Sequence, residues 1–172
     1  MRFSYITPKV RKANSGLTLI ELIVASAISV MIMGVAVTIL LLLLRSFDTS
    51  TKQTQAHNLC VMTVQKIDTT LRYSKTVTIS NTDSGDGIYY DPSSNGIHIG
   101  SSTYLGQTFK GYKVYFVFSN IDTTKNNLLG IKMTVKSKDG NATYYTLSSK
   151  VCLLNGSINS TDTGDSIQYS DS

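Results

Sequence analysis

Hydrophobic and polar positions divide the chain into three patterns. Residues 22–44 read LIVASAISVMIMGVAVTILLLLL, 23 consecutive residues without a charge. As a helix rising about 1.5 Å per residue the run is about 35 Å long, enough to cross a hydrocarbon core of about 30 Å. A secretory signal has an apolar core of only about 7–15 residues with a small-residue cleavage site behind it. This run is longer and ends in five leucines, so it predicts a membrane-spanning helix.

The second pattern is helical as well. Residues 45–73 contain no Pro or Gly, and Ala56, Cys60, Val64, Ile67 and Leu71 recur at spacings of four, four, three and four. That periodicity makes one apolar stripe, so the helix is expected to continue beyond the membrane and pack through its outer half. The third pattern is strand-like. Residues 76–80, 87–90, 97–100, 112–119, 129–137 and 143–153 are short runs rich in Val, Ile, Thr, Tyr and Phe, parted by Gly, Asn, Asp and Ser. Two of them, around Lys113–Phe118 and Ile131–Lys136, alternate as half-buried strands do. Asp139-Gly140 between two runs signals a two-residue hairpin turn, and Asn95-Gly96 marks another turn. A long helix followed by consecutive strands predicts an α+β fold with an antiparallel sheet against the outer half of the helix. The stretch 156–172 is low in apolar content and is expected to be a loose polar tail.

Charge sharpens this division. The chain of 172 residues has 16 Lys and Arg against 11 Asp and Glu, a formal net charge of +5. Arg2, Lys9, Arg11 and Lys12 lie in the first 16 residues, which hold no acid, so the remainder carries 12 basic and 11 acidic residues. The sequence pI of about 9.2 therefore describes a basic leader rather than a nucleic-acid-binding body, and nucleic acid is a weak expectation as a partner. The four cations ahead of the span place the N-terminus in the cytoplasm and the body outside, by the positive-inside bias.

Glu21 stands at the start of the apolar run, where a carboxylate costs up to about 2.5–3.5 kcal/mol, less near an interface. Snorkelling to the surface is one way to keep it there. The string Ser15-Gly16-Leu17-Thr18-Leu19-Ile20-Glu21, behind a basic leader and ahead of an uninterrupted span, resembles the processing signal of type IV pilins and pseudopilins. The resemblance implies cleavage between Gly16 and Leu17 by a prepilin peptidase and N-methylation of Leu17. It makes Glu21 the assembly glutamate, with other pilin subunits, an assembly platform and the membrane as further partners. Thr18 would help solvate the charge pair, or simply open the helix. The sequence departs from the family in two places. Leu17 stands where many members begin with phenylalanine, and the only prolines are Pro8 and Pro92, so no proline bends the span. The missing kink, with the helix-to-strand stretch 65–80, resembles minor subunits more than major ones.

Other chemistry is sparse. Cys60 and Cys152 are the only cysteines, and an external location permits a disulfide between them, worth roughly 4–5 kcal/mol for so long a loop; two buried thiols are the alternative. His57 and His98 make no zinc spacing with them, and no phosphate-cradling loop or nucleophile elbow occurs, so neither an enzyme nor a cofactor is expected. Asp83, Asp86 and Asp91 gather oxygen ligands around a Gly-rich turn but lack the bidentate glutamate of an EF-hand, and are weak calcium candidates.

The expected organisation is a cytoplasmic leader (1–16), a transmembrane and assembly helix (17–44), an extracytoplasmic head (45–155) and the tail. The expected role is that of a minor pilin or pseudopilin in a surface filament. The rival is a single-pass membrane-anchored binding domain, a receptor for DNA or another ligand, that never polymerises.

Overall fold

The computed structural model describes residues 18–81, 87–106, 110–159 and 163–170. Two compact units are present, Met1–Phe47 and Asp48–Ser172. Their common element is one α-helix, α1, Leu19–Leu71. In the first unit it is apolar and exposed all round, and it is long and apolar enough to cross a membrane. Such surface is stable only under lipid or protein.

In the second unit α1 has a buried face made of Ala56, Leu59, Cys60, Thr63, Val64, Ile67 and Leu71. The expected stripe is all there, widened by Leu59 and Thr63 into the broad apolar face that a helix needs to lie on a sheet. Charged pairs sit off that face: Lys52 meets Asp48 and Arg72 meets Asp68, each at 2.6 Å across one turn.

The described residues hold ten strands: β1 Thr76–Ser80, β2 Gly87–Asp91, β3 Gly96–Ile99, β4 Ser102–Tyr104, β5 Tyr112–Asn120, β6 Leu128–Ser137, β7 Thr143–Cys152, β8 Ser157–Ile158, β9 Thr163–Gly164 and β10 Ser166–Ser170. They form two sheets, ordered β4-β3-β2-β10-β1-β8 and β7-β6-β5-β9. Pairing is antiparallel except between β1 and β8. The single sheet expected from sequence is thus two sheets, sharing one core with α1. β5 points Val114, Phe116 and Phe118 inward, and β6 points Leu129, Ile131, Met133 and Val135 inward. On the other sheet, Ile79, Ile167, Ile88 and Ile99 face one another in register across four strands, all buried.

That row corrects the expectation of a loose tail. β10 lies inside the sheet, between β1 and β2, and β8 and β9 belong to the two sheets as well. The segment is polar in composition, but Ile158 and Ile167 are buried, and the backbones of β8 and β10 pair with their neighbours in the sheet. The β6–β7 connection also differs. A two-residue turn of the expected kind needs a left-handed backbone at both central residues. Only Gly140 has it (φ 79°), its N–H donating to the Ser137 carbonyl at 2.8 Å, and the loop is longer.

The isoleucine row predicts unequal effects of two truncations. Ile167→Ala should lower the unfolding free energy of the detergent-solubilised protein by about 2–4 kcal/mol. Leu154→Ala, at a side chain 56% exposed, should change it by less than about 0.5 kcal/mol. Denaturant titration monitored by tyrosine fluorescence distinguishes them, and equal effects would contradict the placement of β10.

Candidate functional site

Gly16 and Leu17 lie outside the described residues. Thr18 and Glu21 lie within them, at the start of α1, and bond reciprocally. The Thr18 N–H donates to Glu21 Oε2 at 3.2 Å, the Thr18 hydroxyl donates to the same oxygen at 3.1 Å, and the Glu21 N–H donates to Thr18 Oγ1 at 3.4 Å. This is a capping box, with threonine at the N-cap and glutamate at the third helical position. The Thr18 hydroxyl thus opens the helix and also donates to the Glu21 carboxylate. The carboxylate sits at the positive end of the helix dipole, where a negative charge is favoured by about 0.3–1 kcal/mol. Glu21 Oε1 makes no hydrogen bond among the described residues.

Behind the box, polar groups in the apolar run are satisfied internally. The hydroxyls of Ser26, Ser29 and Thr38 donate to the carbonyls of Ile23, Ala25 and Gly34 at 2.8, 2.8 and 2.9 Å. A hydroxyl tied to its own helix does not need water, so the run can enter hydrocarbon or a helix–helix contact with no polar group stranded. The arrangement amounts to an apolar rod whose one charge is held at its first turn.

The two cysteines are not joined. Cys60 is fully buried on the helix, and burial pushes its thiol up to about 11. Cys152 is exposed at the end of β7, between the buried Val151 and Leu153. Strand alternation turns Cys152 away from the core into which Cys60 points, and this parity overrides the expected bond. Of the calcium candidates, Asp83 and Asp86 lie outside the described residues. Asp91 caps the turn between β2 and β3. Its carboxylate accepts from the Ser93 hydroxyl at 2.7 Å, from the Ser93 N–H at 2.8 Å and from the Ser94 N–H at 3.2 Å. These donors hold it well below the usual carboxylate range. No group of three or more His, Cys, Asp or Glu gathers to hold a metal among the described residues.

The histidines are packed against tyrosines. His57 meets Tyr145 edge-on at 4.7 Å, and His98 stacks on Tyr89 at 4.9 Å with Asp91 3.5 Å away. Sequence reading passed over the capping box as such, although the Thr-x-x-Glu spacing ahead of an apolar run carries it.

No protein-family model matches the chain, and no curated protein matches it. Among solved structures it is similar to a point mutant of the PilB minor pilin from Streptococcus sanguinis, with 13% identity and a TM-score of 0.46 over 63% of this chain. The chain spans about a third of the length of that structure (32%).

Two outcomes follow from the cysteine and aspartate geometry. Native protein at about pH 8 should take one maleimide, on Cys152, and a second only after unfolding, as read by intact mass. Labelling of neither thiol without prior reduction would instead reveal a disulfide. Asp91 has a lowered folded-state pKa, so its stabilisation is present above the unfolded value and lost as pH falls. Wild type should exceed Asp91→Asn in thermal stability at neutral pH, with a gap that narrows below about pH 4. A gap independent of pH would place the effect elsewhere than on the carboxylate.

Proposed function

We propose that the chain is a minor pilin or pseudopilin, a structural subunit of a type IV pilus-like filament that is made as a membrane-anchored precursor. The observation that carries this reading is the apolar run of α1, exposed on all sides and headed by a single carboxylate, directly behind the Gly16-Leu17-Thr18-Leu19-Ile20-Glu21 string. Hydrolysis of the Gly16–Leu17 peptide bond by a prepilin peptidase would leave an α-amine on Leu17, and methylation of that amine would follow. With a reference pKa of about 8 the amine is largely cationic at neutral pH.

The mechanism is association. Lipid tails are as apolar as a neighbouring helix, so exchanging one for the other gives little direction to assembly. An amine and a carboxylate at the same height give it a register. Glu21 Oε2 is taken by Thr18, while Oε1 remains for the amine of the same or an adjacent subunit. A paired charge is tolerated in an apolar bundle and an orphaned one is expensive. The span and Glu21 then form the polymer core, and the two-sheet head faces outward. The proline-free span supports a minor subunit over a major one.

Co-expression with an active prepilin peptidase tests the processing step. Intact mass should show loss of residues 1–16 and one added methyl on Leu17, and Gly16→Ala should block both. A full-length chain despite active peptidase would favour the simple membrane anchor. Glu21→Gln separates the two uses of the side chain, because glutamine still closes a capping box but carries no charge. It should insert normally and be depleted about tenfold or more from sheared filaments, as a lost charge pair worth about 1.4 kcal/mol or more implies. Wild-type incorporation would reduce Glu21 to a cap.

A further inference from the structure

The strands β5, β6 and β7 contain no Asp or Glu, and their four charged residues are all lysines: Lys113, Lys132, Lys136 and Lys150. Alternation puts all four on the face turned away from the core, since their neighbours Val114, Ile131, Met133, Val135 and Val151 point inward. The register brings them into two groups. Lys113 stands directly opposite Lys136. Lys132 and Lys150 are diagonal neighbours, because their direct partners are Ser148 and Gly130. Like charges facing each other across strands destabilise a sheet, and no carboxylate stands on β5, β6 or β7 to relieve them, the described one next to Tyr115 being Asp165 beyond β9. Salt bridges among the described residues involve none of the four. Edge protection does not explain Lys132 and Lys136, because β6 is paired on both sides.

The same face has apolar recesses between the cations. A groove of about 290 Å³ lies over Val117, Gly130 and Ile121, flanked by Lys132 and Lys150. Val117 and Ile121 remain 45% and 43% exposed in it. Gly130 keeps it open, since a Cβ there would lie 2.8 Å from Ile121 Cδ1 and 2.7 Å from Ser119 Oγ. At the other end of the face Tyr115 is 47% exposed, with Lys136 Nζ 5.2 Å from its ring centroid. A second groove, of about 320 Å³, lies at the edge of this face, between Lys113, Tyr115 and Lys138 on one side and Tyr90, Pro92 and Asn95 of the other sheet's β2–β3 hairpin.

From this juxtaposition we infer that the outer face of the four-stranded sheet binds a single strand of nucleic acid. The two lysine groups take phosphates, while Tyr115 and the Val117–Gly130–Ile121 groove take bases. The groups are separated by four residues along β6, about 13 Å, which leaves room for bases between the phosphate contacts. Cations interleaved with an exposed aromatic and apolar recesses suit a polymer that carries both charge and flat rings. A sulfated or carboxylated polysaccharide offers the charge alone. The near-neutral balance beyond the leader concealed this face, because a sum over the chain does not show that β5, β6 and β7 carry lysines and no acid. The inference concerns the head and stands whether or not the chain polymerises.

The test is fluorescence anisotropy of a labelled oligothymidylate with the full-length protein in non-ionic detergent. Four lysine–phosphate contacts predict a slope of log K against log salt of about −3, at about −0.7 per contact. Lys132→Gln/Lys136→Gln should reduce the magnitude of the slope by about half and weaken binding about tenfold or more, whereas Lys66→Gln, at an exposed site on α1, should not. Tyr115→Leu keeps an apolar side chain on the strand and removes the ring. It should weaken oligothymidylate binding about tenfold while leaving competition by dextran sulfate unchanged. The inference is overturned if the Lys132/Lys136 variant binds as wild type does. It is equally overturned if Tyr115→Leu has no effect, the result expected of a face that takes any polyanion.

Discussion

Everything in the head hangs on a strand of five residues near its C-terminal end. Among the described strands, β10 is the one that pairs with both β1, the strand that follows the helix, and β2 of the β2–β3–β4 meander. Its Ile167 meets Ile79 on one side and Ile88 on the other, and each such side chain withdrawn from water contributes about 1.5–3 kcal/mol. Three residues before Ile167, Gly164 pairs with Phe118 of β5. The same short segment therefore stitches both sheets to each other. The crossing is tight: a Cβ on Gly164 would overlap the Ser80 carbonyl, so only glycine lets the backbone pass. Ser166 fixes the step between the sheets by donating its hydroxyl to that same carbonyl at 2.9 Å.

This dependence explains what was legible in the sequence and what was not. The helix stripe was legible because its partners are four residues apart on one element, and six strands were legible because each carries its own run of β-formers. β10 was not. Ser166-Ile167-Gln168-Tyr169-Ser170 alternates, but two apolar residues among serines look the same in a loop. What makes it a strand is Ser80, 86 residues away in the chain, and no local propensity encodes a partner at that distance. β8 and β9, two residues each, exist only through their neighbours.

Parity decided the two outcomes that mattered most for chemistry. A bond between Cys60 and Cys152 was expected from an external location, yet the residues that face inward at the end of that strand are Val151 and Leu153. A shift of one residue exchanges the two faces of a strand, so a disulfide argued from element positions alone is a coin with two sides. The lysine face arises from the same rule with the opposite result. Four lysines scattered over 38 positions of sequence become one surface once β5, β6 and β7 are placed side by side in register. The charge balance of the chain contained the number of cations but not their segregation.

At the other end of the molecule, the capping box limits what local structure can explain about Glu21. Closing the box requires a hydrogen-bond acceptor three residues after the threonine, and an amide serves as well as a carboxylate. A cap is worth about 1 kcal/mol, and the charge adds a few tenths to about 1 kcal/mol through the helix dipole. Against that stands the cost of a carboxylate bordering an apolar run, which grows to about 2.5–3.5 kcal/mol toward the middle of a bilayer. Helix initiation alone thus gives little reason to prefer an acid over its amide beside 23 uncharged residues. What the acid supplies beyond the amide is a negative charge held at a defined height, and beside an apolar run the helix dipole offsets only part of its cost unless a cation arrives to meet it.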